Sequence, residues 1–300
     1  MPDSTTSRRP AVAALALSLV VFAPSFAATK VSVDGLGVAT SATIRLVGGG
    51  AILLLIAHRS WPLLWRHRRP LALLGATGMG LQTYAISIGI DAGSASLGAL
   101  ILGIEPVCIA LFGALLLRER PERSALIGLG FGLAGVVVVS GILTVGVQGT
   151  PLLAVVALVI TTVSFSIYAV RLPAFAHLVG GIPAAAATIA AGGLAILPFA
   201  LVEVIRGTAV QADARASTIL GSTYNVLGQT VVGYALFVYA VARLRPALLA
   251  VMLYALPPLA VLANWILIGE RPHARDLVGG ALILLGVAIG TRRAPKGPPS

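Results

Sequence analysis

The chain reads as an all-α polytopic membrane protein: ten transmembrane helices arranged as two inverted five-helix repeats. Three observations predict this. Hydrophobic residues make up 58% of the 300 and charged residues only 10%, whereas a soluble domain carries about 25% charged residues. The apolar stretches each run for about 20 residues, the length a helix needs to cross a ~30 Å hydrocarbon core. Finally, one apolar unit occurs twice, because residues 95–121 (ASLGALILGIEPVCIALFGALLLRERP) recur in pattern as 246–272 (PALLAVMLYALPPLAVLANWILIGERP), a gapless shift of 151.

The spans follow in order at approximately 11–29, 37–57, 71–90, 95–117, 124–143, 150–170, 184–203, 217–240, 246–268 and 276–291. Helices are expected rather than a barrel because these runs are continuously apolar instead of alternating in and out. The connections are short and marked by Pro, Gly or charge, as at Asp34-Gly35, Pro70, Asp91-Ala92-Gly93, Gly149-Thr150-Pro151 and Gly181-Ile182-Pro183. The longest polar stretch, Glu203 to Arg215, holds a short surface helix at most. The halves divide as residues 1–145 and 146–300.

Charge sets the orientation. With the amino terminus in the cytoplasm, 15 of the 21 Lys and Arg fall inside, among them Arg59, Arg66, Arg68, Arg69, Arg118, Arg120 and Arg123. Short loops rich in Lys and Arg stay cytoplasmic, so both termini are expected inside, in the inner or plasma membrane of the cell. The net charge of +11 is thus a topology signal. A nucleic-acid reading would need a basic face on a soluble domain. Arg8-Arg9 followed by the apolar run Ala11–Ala23 imitates a cleavable leader, but the repeat and the loop charges favour an uncleaved first span. The single cysteine, Cys108, rules out an intrachain disulfide.

Five spans per half is an odd number, so the second half must cross the membrane in the opposite sense to the first. Under the shift Pro106 falls on Pro257, Glu119 on Glu270, Pro121 on Pro272, Gly128 on Gly279 and Gly135 on Gly286. Inverted repeats of this kind are a recurring transporter plan, in which near-equivalent halves exchange conformations to open a midplane site to each side in turn.

The series of a small-residue-rich span, a mid-span Pro, a closing Glu-Arg-Pro and a Gly-rich helix resembles the EamA repeat of the drug/metabolite transporter superfamily. It covers Tyr84 to Gly135 and again Ala235 to Gly286, and Lys30 and Arg45 also fit the first-half pattern. The chain departs from the family in having Ala23-Pro24-Ser25 where Trp-Gly often opens a half. The resemblance implies a secondary transporter that exports or exchanges small metabolites, with amino acids, drugs and nucleotide-related compounds all represented.

Glu105 is the first candidate for the working residue. An ionisable group in mid-span costs about 2.5–3.5 kcal/mol on insertion scales and normally faces a bundle interior or wet cavity. A carboxyl there can gain or lose a proton as its surroundings change between wet and dry. The adjacent Pro106 lacks an N–H and frees a carbonyl one turn earlier. The counterpart of Glu105 is Leu256, so the site is asymmetric. The structural alternative is a carboxylate paired with Arg45 or a hydroxyl.

Polar stripes come next. Ser222, Asn225 and Gln229 share one face of the eighth span, and Thr161, Ser164, Phe165 and Tyr168 one face of the sixth. Gln82, Tyr84 and Tyr254 add an amide and two phenols. Such groups suit a small amphipathic metabolite, or else bond helix to helix. Arg45 is a charge partner or anion contact, and Lys30 snorkels to the interface. Glu119 and Glu270 sit where each could cap the following helix or pair locally. The spacings Gly128-Gly132 and Gly286-Gly290 match close helix packing, within the chain or against a second copy in a homodimer.

No metal or other cofactor is expected, since His58, His67, His177 and His273 have no ligand spacing. No Gly-Lys-Ser/Thr phosphate loop is present, which leaves exchange or coupling to an ion gradient such as protons. Two classes remain beside a transporter. A membrane enzyme would need a convergent catalytic set that the loops do not offer, and a receptor or assembly subunit would need only the packing.

Overall fold

A computed structural model of the chain describes residues 8–116, 123–141, 143, 151–211, 215–241, 252–253 and 255–290. Among them secondary structure is helical, apart from one isolated antiparallel bridge between Leu36 and Val210. The helices are α1 (Arg8–Phe22), α2 (Ser25–Gly35), α3 (Val38–Ile56), the short α4 (Trp61–Arg66), α5 (Arg68–Leu74) and α6 (Leu81–Ala92). Next come α7 (Ala95–Leu102), α8 (Glu105–Leu116), α9 (Arg123–Ser140), α10 (Leu152–Val179), α11 (Gly181–Ile205), α12 (Ala216–Thr223), α13 (Tyr234–Val241), α14 (Leu256–Ile268) and α15 (Ala274–Gly290). A π-turn at Gly75–Gly80 joins α5 to α6, and another at Tyr224–Gly233 joins α12 to α13.

Among the described residues, six helices are long and apolar enough to cross a membrane: Pro10–Gly35, Val38–Ile56, Arg68–Ala92, Ala95–Leu116, Leu152–Val179 and Gly181–Ile205. The expected fifth and ninth spans correspond to the shorter apolar helices Leu126–Ser140 and Leu256–Ile268. Leu55, Ile205, Ile219 and Ile266 are 73, 84, 70 and 71% exposed. Apolar surface on that scale requires a covering, which lipid supplies to a multi-pass membrane protein.

The long helices pack in antiparallel pairs. α3 lies along α11, with Thr40 at Glu203, a β-carbon on Gly193 falling 2.9 Å from Val47 N, and one on Gly50 falling 2.8 Å from Ala190 N. α6 and its π-turn lie along α10, where Gly78 meets Tyr168, Gly89 meets Leu158 and Gly93 meets Ala154. α2 lies along α12 and its π-turn, with Gly35 against Thr218, Gly221 against Ala28, and the Tyr224 hydroxyl donating to Val21 O at 2.7 Å. α7 runs beside α14, from the Asn264 to Ser96 hydrogen bond to the contact of Gly103 with Pro257. α9 and α15 make the most intimate pair, in which Gly135 faces Gly279 and Gly132 faces Gly286. Missing β-carbons let these backbones touch, and packing rather than a hydrophobic drive holds helices together in lipid.

Two sequence expectations are narrowed here. The glycine seam of α9 and α15 is consumed inside the chain, so it no longer argues for a second copy. The described part of the stretch from Glu203 to Arg215 adds no separate surface helix after α11, which ends at Ile205. Instead it runs back along the end of α2, with Gly37 N–H donating to Ala209 O and Gln211 N–H to Gly35 O, both at 3.0 Å. Backbone groups of a polar connection must be satisfied, and the Gly35–Gly37 link between α2 and α3 offers partners that a sequence cannot display.

Candidate functional site

The fourth span is broken where the carboxylate sits. α7 ends at Leu102, and the chain tightens through Gly103 N–H to Leu100 O (3.0 Å) and Ile104 N–H to Ile101 O (3.2 Å) before α8 begins at Glu105. Pro106 has no N–H, so the Leu102 carbonyl loses its helical donor. The second half breaks at the equivalent place, since α14 begins at Leu256 and Ala255 N–H bonds Met252 O at 3.1 Å. The breaks meet, because a β-carbon on Gly103 would lie 3.1 Å from the Pro257 ring.

The two π-turns also correspond, since a shift of 151 carries Gly75–Gly80 into Tyr224–Gly233. Single π-turns widen a helix and are frequent at functional sites. In the second, Thr230 Oγ1 donates to Asn225 O at 2.8 Å, which anchors the widened turn.

Arg45, Asn225 and Gln229 lie on elements that pack together, α3 and the second π-turn, whereas Glu105 opens α8 at the break. Arg45 is 5% exposed, and its Nε has no hydrogen-bond partner among the described residues. The next turn of α3 packs on the π-turn, with Gly49 against Thr230 and Gly48 against Val226, and Arg45 shares that face of α3 one turn earlier. Asn225 Nδ2 donates to Thr29 Oγ1 at 3.3 Å, yet its Oδ1 and the Oε1 of Gln229 are buried without partners. Tyr234 stacks edge-on against Phe22 at 5.7 Å and points its hydroxyl at Met79 Sδ, 3.9 Å away. No ion pair joins Glu105 to Arg45 among the described residues. Buried polar atoms are nearly always satisfied, and the unsatisfied Arg45, Asn225 and Gln229 atoms are ones a polar ligand would complete.

The other candidates go elsewhere. Ser164 Oγ donates to Thr77 O at 2.9 Å, Thr161 Oγ1 to Gln82 O at 3.4 Å, and the Tyr168 hydroxyl bonds Thr188 Oγ1 at 3.0 Å. Gln82 Oε1 accepts from Thr83 at 3.0 Å. These bonds join α10 to the π-turn and α6, and Tyr168 to α11. Ser164, Tyr168, Thr77 and Gly78 also line a cavity of about 350 Å³ in that seam. A second cavity, about 810 Å³, lies beside α3 and α12 and includes Ser222 and Val226. Neither is lined by Glu105 or Arg45. Tyr84 stacks on Phe199 at 5.3 Å, nearer the Glu203 end than the breaks. Tyr254 and Glu119 fall outside the described residues.

Glu270 corrects its expected role. Its Oε1 accepts from Ser96 N–H at 3.2 Å, capping α7 of the other half rather than the following helix. Glu203, unremarked in the sequence, does the same for α3: its carboxylate accepts from Ala39 N–H (2.9 Å), Thr40 N–H (2.8 Å) and Thr40 Oγ1 (2.8 Å). A helix N-terminus presents free N–H groups and a partial positive charge, both met by a carboxylate. Lys30 pairs with Asp34 at 2.8 Å nearby. Glu203→Ala is expected to lower thermal stability in detergent by about 1–2 kcal/mol, the cost of losing such a cap. Unchanged melting would show the cap to be energetically idle.

Tyr234 is the site residue hardest to foresee. It continues the stripe of Asn225 and Gln229 after five residues, the spacing of a π-turn, and so escapes a search at 3.6 residues per turn.

Comparison with known proteins now adds to this geometry. The model of the EamA-like transporter family matches residues 9–141 and again 152–291, once per half. The chain belongs to the EamA-like transporter family. A relative from Streptantibioticus cattleyicolor, named a probable terminal-alkyne amino-acid exporter, is 32% identical over 292 residues, covering 94% of each chain. An uncharacterized transporter of Archaeoglobus fulgidus is 24% identical over 279 residues, covering 93% of this chain and 98% of its own. A solved crystal structure at 20% identity superposes with a TM-score of 0.63 over 96% of both chains, a likeness of fold. This EamA-family protein is therefore a multi-pass membrane transporter, and its double helix break lies at corresponding positions of the two matched halves.

Proposed function

We propose that the protein is a secondary transporter of two inverted halves, residues 1–145 and 146–300, which exports a small amphipathic metabolite of the amino-acid class by alternating access. The observation that carries this is the pairing scheme. Numbering spans in chain order, α3–α11, α7–α14 and α9–α15 each join a span to its equivalent five places on, and all three pairs are antiparallel. The remaining pairs, α2–α12 and α6–α10, exchange with each other under the same operation. A set of contacts closed under exchange of the halves is what a pseudo-two-fold axis in the membrane plane requires, and equivalent halves can trade conformations.

Support for the substrate class comes from the unpartnered Arg45, Asn225 and Gln229 atoms and from the name of the Streptantibioticus relative, an amino-acid exporter at 32% identity. Glu105, unpaired at the break, is the coupling carboxyl in this reading, with protons as the coupling ion. Both termini lie in the cytoplasm, and the membrane is that of the cell. Purified protein in liposomes is expected to exchange amino acids across the bilayer, with flux rising under an imposed proton gradient. A preparation that binds the same compounds without moving them would point to a receptor and remove the transport mechanism.

A further inference from the structure

We infer that Arg45 is the carboxylate-recognising residue of the site and that Asn225 and Gln229 receive the substrate ammonium, so that the substrate is a zwitterion with a free α-carboxylate. This rests on the transport reading above and sharpens it. A guanidinium within the membrane carries a large desolvation penalty unless it is paired and hydrogen-bonded. Arg45 is 5% exposed, and no hydrogen bond or ion pair holds its side chain among the described residues. Lys30 is engaged with Asp34, and the Glu270 and Glu203 carboxylates with helix ends. The partner of Arg45 therefore arrives with the substrate. A planar fork of N–H donors matches a carboxylate two-to-two, which a lysine cannot do.

Two of the other unsatisfied atoms have the opposite preference. Asn225 Oδ1 and Gln229 Oε1 are acceptors, buried and unpartnered, and acceptors suit an N–H donor rather than an anion. Both sit on the π-turn that packs against the next turn of α3 below Arg45, through Gly49 and Thr230. Arg45 lies one turn from Gly49 on the same face of α3, so a guanidinium and two bare carbonyl oxygens border one helix contact, as the two ends of an amino acid would require. The Tyr234 and Phe22 rings nearby leave an apolar wall for its side chain. A zwitterion is also neutral overall, so its passage leaves no net charge in the low-dielectric centre.

The test uses the full chain in liposomes. A panel of L-amino acids, including a terminal-alkyne one, competes for counterflow beside the matching carboxamides, which keep the ammonium and lose the carboxylate. The carboxamides are expected to compete at least about tenfold more weakly, as in sites built to pair a polar group that the analogue lacks. In Arg45→Gln and Arg45→Lys the preference for acid over amide should shrink, with the same melting temperature as wild type. If wild-type protein moves acids and amides equally, the role of Arg45 is overturned while transport stands. If no amino acid competes but another metabolite moves, the amino-acid reading falls and takes this one with it. Should Arg45→Gln fail to fold, the wild-type comparison and Arg45→Lys still decide.

Discussion

Glu105→Gln is expected to abolish the proton-driven component of flux, with transport under a pH gradient falling by an order of magnitude or more. The substitution keeps the shape and the hydrogen-bonding reach of the side chain and removes only its ability to ionise. Glu105 sits at the start of α8, beside a proline and a turn that replaces helical bonds with tighter ones. It has no ion-pair partner among the described residues that would make it a structural brace. Its loss should therefore cost no stability, and relief of the about 2.5–3.5 kcal/mol penalty for a charge in mid-membrane would raise the melting temperature if anything. Flux as a function of internal and external pH, beside detergent melting curves, reads both quantities. A variant with unchanged pH-dependent flux would remove Glu105 from coupling.

Gly192→Val should be among the most destabilising single changes in the chain. A β-carbon on Gly192 would stand 2.7 Å from Gly80 N and 2.9 Å from Gly75 O, and one on Gly80 would stand 2.8 Å from Gly192 O. Backbone meets backbone where α11 crosses the first π-turn, and backbone cannot swing aside as a side-chain tip can. Overpacking costs about 1–3 kcal/mol where side chains can adjust, and more where they cannot. The expected result is a melting temperature lowered by about 5 °C or more, or loss of folded protein on purification. Gly130→Ala is the control: nothing lies within 4 Å of a β-carbon there, so the helix should gain about 0.5–1 kcal/mol. Equal melting of the two variants would show that α11 does not approach the π-turn so closely.

Much of the molecule is legible in residue order, and particular residues show why. Pro106 and Pro257 mark the breaks because a proline removes a helical N–H donor, although Pro173 and Pro198 sit inside unbroken helices. Arg45 and Glu105 stand out because lipid makes any charge expensive, an expense independent of the neighbours. Asn225 and Gln229 are legible as a stripe, though not which of their atoms lack partners. By contrast, Glu203 and Glu270 resemble ordinary loop-end carboxylates until the helices they cap, more than 160 residues away in sequence, are brought to them. Ser164 and Tyr168 look equivalent to Asn225 and Gln229 on paper, yet bond neighbouring helices at 2.9 and 3.0 Å.

Residue order alone pointed to the membrane as the solvent, the helix as the spanning element, and a unit used twice. Each follows from the cost of placing a peptide group or a charge in hydrocarbon, which is paid residue by residue. Tertiary structure decided which polar groups are spent on packing and which stay open, how the α9 and α15 glycines are used, and where two π-turns set the helix faces. These depend on which atoms meet across helices far apart in sequence, and only the assembled bundle contains those distances.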